Sequence, residues 1–397
     1  MSTVTELAPG IDRPITAEGT TFRTVSRAAD LHEYDDAWLE LDRRLATPMQ
    51  TWPWIESCAA AFAHEADLEL IVGLQANEVV AAAPLSTARR SPGRRQELVS
   101  YRHVCEPVDL AFRDTDTLDQ LAGMLARRGK PLVIGRMFAD SPTRQAIAKA
   151  AGRTGRLLVR PQAPTPWIAL DESWAAPEQK LSSRRRSDFR RARKHAEQMG
   201  KVRAELCAPD EHEVDGLLDL AFDIERRSWK RETGTALADH QAGEFYRRYA
   251  RRMTRSGQFR VELLHIGQDV AAMQLGVVHQ DRYWVLKVGY DPQFHRASPG
   301  ILLMVEAIKR AVAEGLKTYE LLGTVEPWIQ VWTELERPCV SLRYYPANLS
   351  GGLALAADLI GKTPGALKKI MRRRSWRMAF PGRPVTKQTI NERNGTG

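Results

Sequence analysis

Residues 283–323 limit the possible folds of this chain more than any other part of the sequence. They contain a strand (YWVLKVGYDP), a loop (QFHRASPG), a long apolar helix (ILLMVEAIKRAVAEG) and a second strand at 318–322. The hydrophobic spacing in each piece supports these assignments. Because the loop leads directly into the helix, the start of this helix is the first place to expect a ligand.

The residues at this helix start are compatible with anion binding. Ser298 can cap the helix, Pro299 suits its first turn, and Gly300 lets a ligand approach the backbone. Unpaired N–H groups and the positive end of the helix dipole favour a phosphate or pyrophosphate there, and Arg296 adds a positive charge. An ordinary N-capped helix that binds nothing is the alternative interpretation.

The composition excludes several classes of protein. With 397 residues, 43% of them hydrophobic and 27% charged, the chain is long enough for two or three globular domains and is neither collagen-like nor wholly disordered. The four cysteines stand far apart, without a CxxC pair: Cys58, Cys105, Cys207 and Cys339. This spacing predicts reduced thiols, a cytoplasmic protein and no metal site. No apolar run reaches the roughly 20 residues of a membrane-spanning helix.

The net charge of +9 is concentrated in two segments. Residues 180–203 hold ten lysines and arginines against two acidic residues, and residues 362–397 hold ten against one. The first segment predicts a helix with a solvated basic face; an anionic lipid, a nucleotide sugar or a polysaccharide is an alternative ligand. RNA is the least favoured ligand, because Phe189 is the one aromatic residue in the basic run. The second segment predicts a loose tail, with an anionic membrane surface as its alternative partner.

The predicted elements divide the chain into four parts. A helix at 28–45 and a hairpin at 68–85 begin a mixed α and β unit. Three strands at 259–290, a short helix at 328–335 and a strand at 339–345 belong to a second unit. The predicted parts are a loose N-terminal arm at 1–21, a first domain at 22–170, a second domain at 171–346 and a basic tail at 347–397.

Four segments carry a family resemblance: SSRRRSDFRRARKHAEQMG at 182–200, ERRSWKRETGTAL at 225–237, GYDPQFHRASPGILL at 289–303 and YELLG at 319–323. Together with the order of the elements, they resemble the GNAT acyltransferase fold. Within it they resemble the branch associated with bacterial cellulose and exopolysaccharide biosynthesis, distantly similar to FemAB-type aminoacyl transferases. The resemblance implies a mixed α/β protein of two tandem GNAT-like folds, the first of them degenerate.

The resemblance also implies acetyl-CoA as the acyl donor. The usual GNAT loop has Arg or Gln, two free residues, and then Gly-x-Gly or Gly-x-Ala. Here residues 295–300 retain one glycine of that pattern, and Pro299 removes an amide donor, so weaker or rearranged pyrophosphate contacts are expected. The implied donor-site residues are Val288, Gly289, Tyr290, Arg296, Ser298, Gly300 and Ile301.

The implied chemistry is direct acyl transfer, in which a backbone amide near 288–290 stabilises the oxyanion and a carboxylate acts as general base. The candidate bases are Glu225, Asp291 and Glu320. A solvated or salt-bridged carboxylate is the alternative for each. The candidate acceptor contacts are Trp229, Lys230 and Lys287. Their alternatives are packing for the tryptophan, solvent exposure for Lys230 and a salt bridge for Lys287.

The leading functional prediction is N- or O-acetyl transfer to a sugar or sugar-derived acceptor in exopolysaccharide or cellulose biosynthesis. One alternative is a FemAB-like transferase that takes aminoacyl groups from tRNA, and the other is an inactive scaffold for a polysaccharide synthase. A small-molecule or saccharide acceptor is the expected partner, and nucleic acid is not. The chain is expected in the cytoplasm, with contact between its basic tail and the inner membrane face left open.

Overall fold

The computed structural model describes residues 15–17, 19–62, 66–88, 92–99, 104, 106–228 and 241–360. Helices and strands alternate through both halves of the chain, which confirms the predicted mixed α/β class. Among the described residues, no helix is long and apolar enough to cross a lipid bilayer.

The strands of the described residues are β1 (Ile15–Ala17), β2 (Thr20–Val25), β3 (Ala66–Gln75), β4 (Glu78–Ala88), β5 (Gln96–Leu98), β6 (Ala111–Phe112), β7 (Leu132–Phe138), β8 (Gly155–Ala169), β9 (Val202–Cys207), β10 (Phe259–Ile266), β11 (Asp269–His279), β12 (Arg282–Tyr290), β13 (Thr318–Glu320) and β14 (Glu336–Pro346). The α-helices are α1 (Leu39–Asp42), α2 (Trp52–Phe62), α3 (Thr115–Arg127), α4 (Thr143–Ala151), α5 (Pro177–Lys180), α6 (Ser183–Met199), α7 (Val214–Arg227), α8 (Gln241–Arg255), α9 (Pro299–Ala313) and α10 (Leu349–Ile360).

All of these strands belong to one continuous sheet. Its order is β1-β2-β3-β4-β5-β7-β14-β8-β13-β12-β11-β10-β9, with β6 paired to β4 beside this path. Most neighbours are antiparallel, including the consecutive pairs β3–β4, β10–β11 and β11–β12, because short hairpin turns can join antiparallel strands.

Each half of the chain contains a parallel β-α-β unit. β5 and β7 pair in parallel with α3 between them in sequence, and β12 and β13 pair in parallel with α9 between them. A parallel pair needs a long crossover, which a helix supplies in both cases. The repeated unit is the structural form of the predicted tandem arrangement.

Two long strands, β8 and β14, join the halves. Residues 155–166 of β8 pair with β14, and residues 167–169 of the same strand pair with β13. β14 also pairs with β7, so a strand from late in the chain lies between two strands of the first half. The predicted boundary at 170/171 falls at the end of β8. A cut at that point would still leave β14 hydrogen-bonded within the first half.

The halves also share a hydrophobic core. Trp54 of α2 packs edge-on against Phe245 and Tyr249 of α8, with ring centroids 4.9 and 5.0 Å apart. The buried Glu56 of α2 pairs with Arg248 of α8 at 2.9 Å. These contacts hold α8 against the first half, while α9 covers the opposite face of β10–β12 above a separate core cluster.

The N-terminal predictions need two corrections. Residues 15–21 were expected in a loose arm, but β1 and β2 form an antiparallel pair and β2 continues the sheet beside β3. The helix expected at 28–45 is a 3-10 helix, Ala28–Tyr34, followed by the single turn α1. Its continuity is broken because the N–H of Val79 in β4 donates to the carbonyl of Ala37, an acceptor that a continuous helix would need for itself.

The short helix expected at 328–335 is also absent, since residues 327–332 form turns. Within the segment, the N–H groups of Trp332 and Thr333 donate to the carbonyl of Ile329, and two further hydrogen bonds link the segment to β8. The Thr333 hydroxyl donates to the carbonyl of Trp167 at 2.7 Å, and the N–H of Trp167 donates to the carbonyl of Leu335 at 3.1 Å. Pairing with β8 therefore takes over at Thr333, so the turns do not continue as a helix to residue 335.

Candidate active site

β12 and β13 separate beside the start of α9. They pair at three positions, all at the beginning of β12, and β12 then continues to Tyr290 beside β11. Beyond β13 the chain turns towards β8, where the N–H of Leu321 donates to the carbonyl of Pro166 at 3.1 Å. We call the resulting opening between the second part of β12 and the departing chain the wedge.

The backbone of residues 288–290 borders the wedge. The N–H of Asp291 donates to the carbonyl of Ala271 in β11 at 2.9 Å. Because N–H directions alternate along an antiparallel strand, the N–H group of Tyr290 points to the other edge of β12, towards the wedge. The side-chain-free Gly289 precedes it, next to Val288. The donor role assigned to these three residues stays a prediction.

The start of α9 lacks a side-chain cap. Ser298 occupies the N-cap position with φ = +46°, but its hydroxyl makes no capping bond, so the predicted Ser298 cap is wrong. Pro299 is the first helical residue, as predicted, and a Cβ added to Gly300 would meet nothing within 4 Å. At the start of α3, by contrast, the carboxylate of Asp114 accepts the N–H of Thr117 at 2.8 Å. The start of α3 is thus closed, because a carboxylate of the chain itself caps it, which agrees with a degenerate first half. The start of α9 is open, because no side chain caps it.

Arg296 and the arginine-rich helix α6 surround this open end. Arg296 is exposed on the 3-10 turn Pro292–Ala297 that leads into α9, and Ile301 is half-buried on α9. α6 packs against both this turn and α9. Within the part of the chain that the structure describes, five exposed basic residues of α6 have no ion-pair partner: Arg184, Arg185, Arg186, Arg190 and Lys194.

Asp291, a predicted general base, is buried at the junction of β12 and the loop. Its carboxylate accepts the guanidinium of Arg227 at 2.7 Å and the N–H of Gln293 at 3.0 Å. The first contact ties the loop to the end of α7, and the second caps the 3-10 turn. These contacts favour an anchoring role for Asp291.

Glu320, another predicted base, is almost fully buried on β13. Arg337 of β14 donates two hydrogen bonds to it, at 2.7 and 3.0 Å, and the Thr318 hydroxyl donates a third at 2.9 Å. The guanidinium thus links β13 to β14, and the carboxylate has little capacity left for a reacting group.

Glu225, the third predicted base, belongs to a cluster between the two halves. It is fully buried near the end of α7, and with Glu106 it contributes to the raised pKa of the Tyr246 phenol, for which burial is the largest cause. Lys287 of β12 lies over the Tyr246 ring, 5.6 Å from its centroid. We call Glu106, Glu225, Tyr246 and Lys287 the cleft cluster.

Glu106 is the member of the cleft cluster that sequence reasoning missed. Burial raises the pKa of its carboxyl group, while the charges of Arg136 and Lys287 and the N–H of Gly323 act in the opposite direction. The Gly323 N–H lies 3.4 Å from its Oε2 atom. Glu106 stands in the first half, 181 positions before Lys287 in the sequence, and no local motif marks it. Only the packing of the halves could have identified it.

A carboxyl group of raised pKa beside a cation is suited to accept a proton from a nucleophile. The predicted acceptor contact Lys287 lies in this cluster, whereas Trp229 and Lys230 lie outside the described residues, as does the basic segment 362–397. No group of three or more potential metal ligands occurs in the described ranges.

Residues 183–329 match the family model described as Acetyltransferase (GNAT) domain. This part of the chain is similar to a GNAT acetyltransferase domain. It contains α6, β12, the wedge and the open start of α9. The match confirms the resemblance to GNAT acetyltransferases in general, and it does not test the resemblance to the exopolysaccharide branch. GNAT acetyltransferases use acetyl-CoA as acyl donor, and the match supports an acyltransferase activity for this chain.

Solved structures of similar fold cover both halves. The C-terminal domain of a putative lysylphosphatidylglycerol synthetase from Agrobacterium fabrum is 11% identical, covers 85% of this chain and 97% of its own, and has a TM-score of 0.53. FemX is 11% identical over 79% of this chain and 95% of its own, with a TM-score of 0.51. L-PGS from Bacillus licheniformis is 10% identical over 85% and 98%, with a TM-score of 0.50. At these identities the likeness concerns the fold alone. No curated protein matches the sequence.

Proposed function

We propose that this protein transfers an acyl group from acetyl-CoA to an amine or hydroxyl acceptor bound between its two halves. The observation that carries the proposal is the open start of α9 beside the wedge, in contrast to the closed start of α3. The N–H group of Gly300 and the dipole of α9, with Arg296, would hold the diphosphate of the donor. The thioester would then reach the N–H group of Tyr290 in the wedge.

In the proposed reaction, the acceptor nitrogen or oxygen attacks the thioester carbonyl, and a new bond to the acyl carbon forms as the C–S bond breaks. The N–H group of Tyr290 stabilises the transient oxyanion. The acceptor proton passes to the Glu106 carboxylate, whose raised pKa suits this task. The departing thiolate takes up a proton from solvent, and Lys287 orients the acceptor.

The finer prediction of a sugar acceptor rests on family resemblance and on Trp229, which lies outside the described residues. It therefore remains a proposal of lower rank than acyl transfer itself. The cleft cluster contains two carboxylates, which are groups that would also bind an amino-group acceptor. Amines are consequently the first acceptors to test, and amino sugars link the two possibilities.

A second candidate is aminoacyl transfer from tRNA. It is supported by the unpaired basic side chains of α6, which pack beside the open start of α9. Two of the fold neighbours also carry the name of a lysylphosphatidylglycerol synthetase or its abbreviation. This candidate requires salt-dependent binding of RNA, whereas the first requires binding of acetyl-CoA.

Calorimetric titration of the full chain with acetyl-CoA and, separately, with bulk tRNA distinguishes these functions. The variant Gly300→Val should lose at least about tenfold in acetyl-CoA affinity, because its side chain occupies the space beside the diphosphate. Gly216→Val is the matched control, since Gly216 is also an exposed helical glycine with nothing within 4 Å of an added Cβ. Equal affinities for the two variants would remove the donor from the start of α9.

Two further outcomes decide between the alternatives. Binding of tRNA that weakens in Arg184→Gln/Arg190→Gln, without any binding of acetyl-CoA, would favour aminoacyl transfer. Failure to bind either ligand would leave the inactive scaffold as the remaining interpretation. Turnover with a panel of amines, amino sugars and neutral sugars, followed by free-thiol release, then identifies the acceptor class.

A further inference from the structure

The outer face of α10 is entirely apolar. Its exposed positions are spaced three or four residues apart and therefore share one face of the helix: Leu349, Gly352, Leu353, Ala356, Leu359 and Ile360. We call this face the α10 stripe. Half of the large hydrophobic side chains that the described residues expose lie on it, and Leu349 and Ile360 are 81% and 73% exposed. Such a concentration marks a binding surface rather than the scattered exposure of an ordinary monomer.

The inner face of α10 is held in place by charge pairs. Asp358 points inward and accepts hydrogen bonds from Arg343 of β14 at 2.5 Å and from Tyr345. Arg95 pairs with the same carboxylate at 2.8 Å. The helix is thus fixed to the body of the protein, and its one acidic side chain is turned away from the stripe.

Basic residues surround the start of α10. Asn348 donates to the carbonyl of Gly129, and the N–H of Ala347 donates to the carbonyl of Thr154, each at 2.9 Å. These contacts bring α10 beside the end of α3 and the turn before β8. Exposed basic side chains in these two places have no ion-pair partner in the described part of the chain: Arg127, Arg153 and Arg156.

We propose that the α10 stripe lies on a lipid bilayer surface that contains anionic headgroups. The sequence continues directly from the stripe into residues 362–397, with ten basic residues against one acidic residue and with Trp376 and Phe380 among them. An apolar helix face joined to a polybasic segment is the combination that interfacial membrane binding requires, because the two contributions add.

A second copy of the chain fits this surface less well. Two stripes packed together would bring two strongly basic segments and two sets of basic neighbours into proximity, with no acidic side chain on the stripe to offset them. The same charge disfavours the basic residues 362–397 as a cover for the stripe, since basic side chains already surround the start of α10. An anionic bilayer is attracted to all of these groups.

Co-sedimentation of the full chain with vesicles tests the proposal. Binding is expected to vesicles of equal parts phosphatidylglycerol and phosphatidylcholine, and to be much weaker with phosphatidylcholine alone. Leu353→Ser/Leu359→Ser should lower the partition coefficient at least about tenfold, because two apolar side chains leave the interface. Arg372→Gln/Arg373→Gln/Arg374→Gln should lower it about 100-fold at low ionic strength and less in high salt.

Leu39→Ser/Leu220→Ser is the matched control, because these two leucines are similarly exposed but lie on α1 and α7. Its binding should equal that of the parent protein, and thermal unfolding should confirm that all variants fold. The proposal is overturned if the α10 variant binds as well as the parent, or if the control loses as much. It is also overturned if light scattering shows a dimer that the α10 variant converts to a monomer.

Discussion

The Tyr283 hydroxyl donates to the buried carboxylate of Glu262 at 2.8 Å, and its ring passes over the side-chain-free backbone of Gly276. Gln274 donates to the same carboxylate and to the Tyr319 hydroxyl. The group therefore spans β10–β13 beneath α9, directly behind the proposed donor site. Burial raises the pKa of Glu262 to about 7, and the hydrogen bonds from Tyr283 and Gln274 reduce this rise.

Glu262 should make the stability of the protein depend on pH. Its carboxyl group binds a proton more tightly when folded, with a pKa of about 7, than at its ordinary value of 4.5. The folded state therefore holds more protons between these values, and the free energy of unfolding falls as pH rises through this window, then levels off above it. Over the whole window the loss should be about 3 kcal/mol.

The variant Glu262→Gln removes this titration while keeping a hydrogen-bond acceptor. Urea unfolding at a series of pH values should give a flatter profile for the variant than for the parent. Burial raises the pKa values of Asp42 and Asp109 to about 7 and about 6, so these two residues contribute equally to the profiles of the parent and of the variant. The difference between the two profiles is therefore the contribution of Glu262. Parallel profiles would contradict the prediction.

Glu106→Gln should lower kcat by about 10²–10⁴ and leave acetyl-CoA affinity unchanged, because the variant can no longer accept the acceptor proton. In the parent, kcat/KM should rise with pH through the raised pKa of Glu106, and the variant should lose this rise. Glu225→Gln is the comparison, since Glu225 belongs to the same cluster. A loss of kcat in that variant alone would transfer the role of base to Glu225.

Asp291→Asn and Arg227→Gln should have the same effect, because each breaks the 2.7 Å pair that anchors the loop before α9. We expect a rise of about tenfold in KM for acetyl-CoA with little change in kcat, as for the loss of one positioning contact. Steady-state kinetics of both variants provides the measurement. If Asp291 were the general base, its variant alone would lose kcat.

Arg337→Met should lower the free energy of unfolding by about 3 kcal/mol, because it leaves the buried Glu320 carboxylate without its main partner. The more distant Arg282, at 3.8 Å, can replace it only in part. Glu320→Gln should retain parental kcat, since the carboxylate is committed to linking β13 and β14. Chemical unfolding and turnover of the two variants check both statements, and a large loss of kcat in Glu320→Gln would restore it as a candidate base.

Local hydrophobic spacing predicted many elements of the second half correctly. The three strands predicted at 259–290 are observed as β10, β11 and β12, and the long apolar helix predicted after the loop is observed as α9. In these segments the periods of buried residues, near 3.6 or 2, coincide with the faces that tertiary packing covers. The helices expected at 28–45 and 328–335 failed where a strand took over the hydrogen bonds of the segment.

The sequence by itself determined the mixed α/β class, the strand–loop–helix order at 283–323 and the open glycine at the start of α9. Only the tertiary structure decided that β14 lies between β7 and β8, that Arg227 reaches Asp291, and that Glu106 lies within electrostatic range of Lys287. The physical reason is that periodicity records which face of a segment is buried. It carries no information on which distant backbone or charge will cover that face.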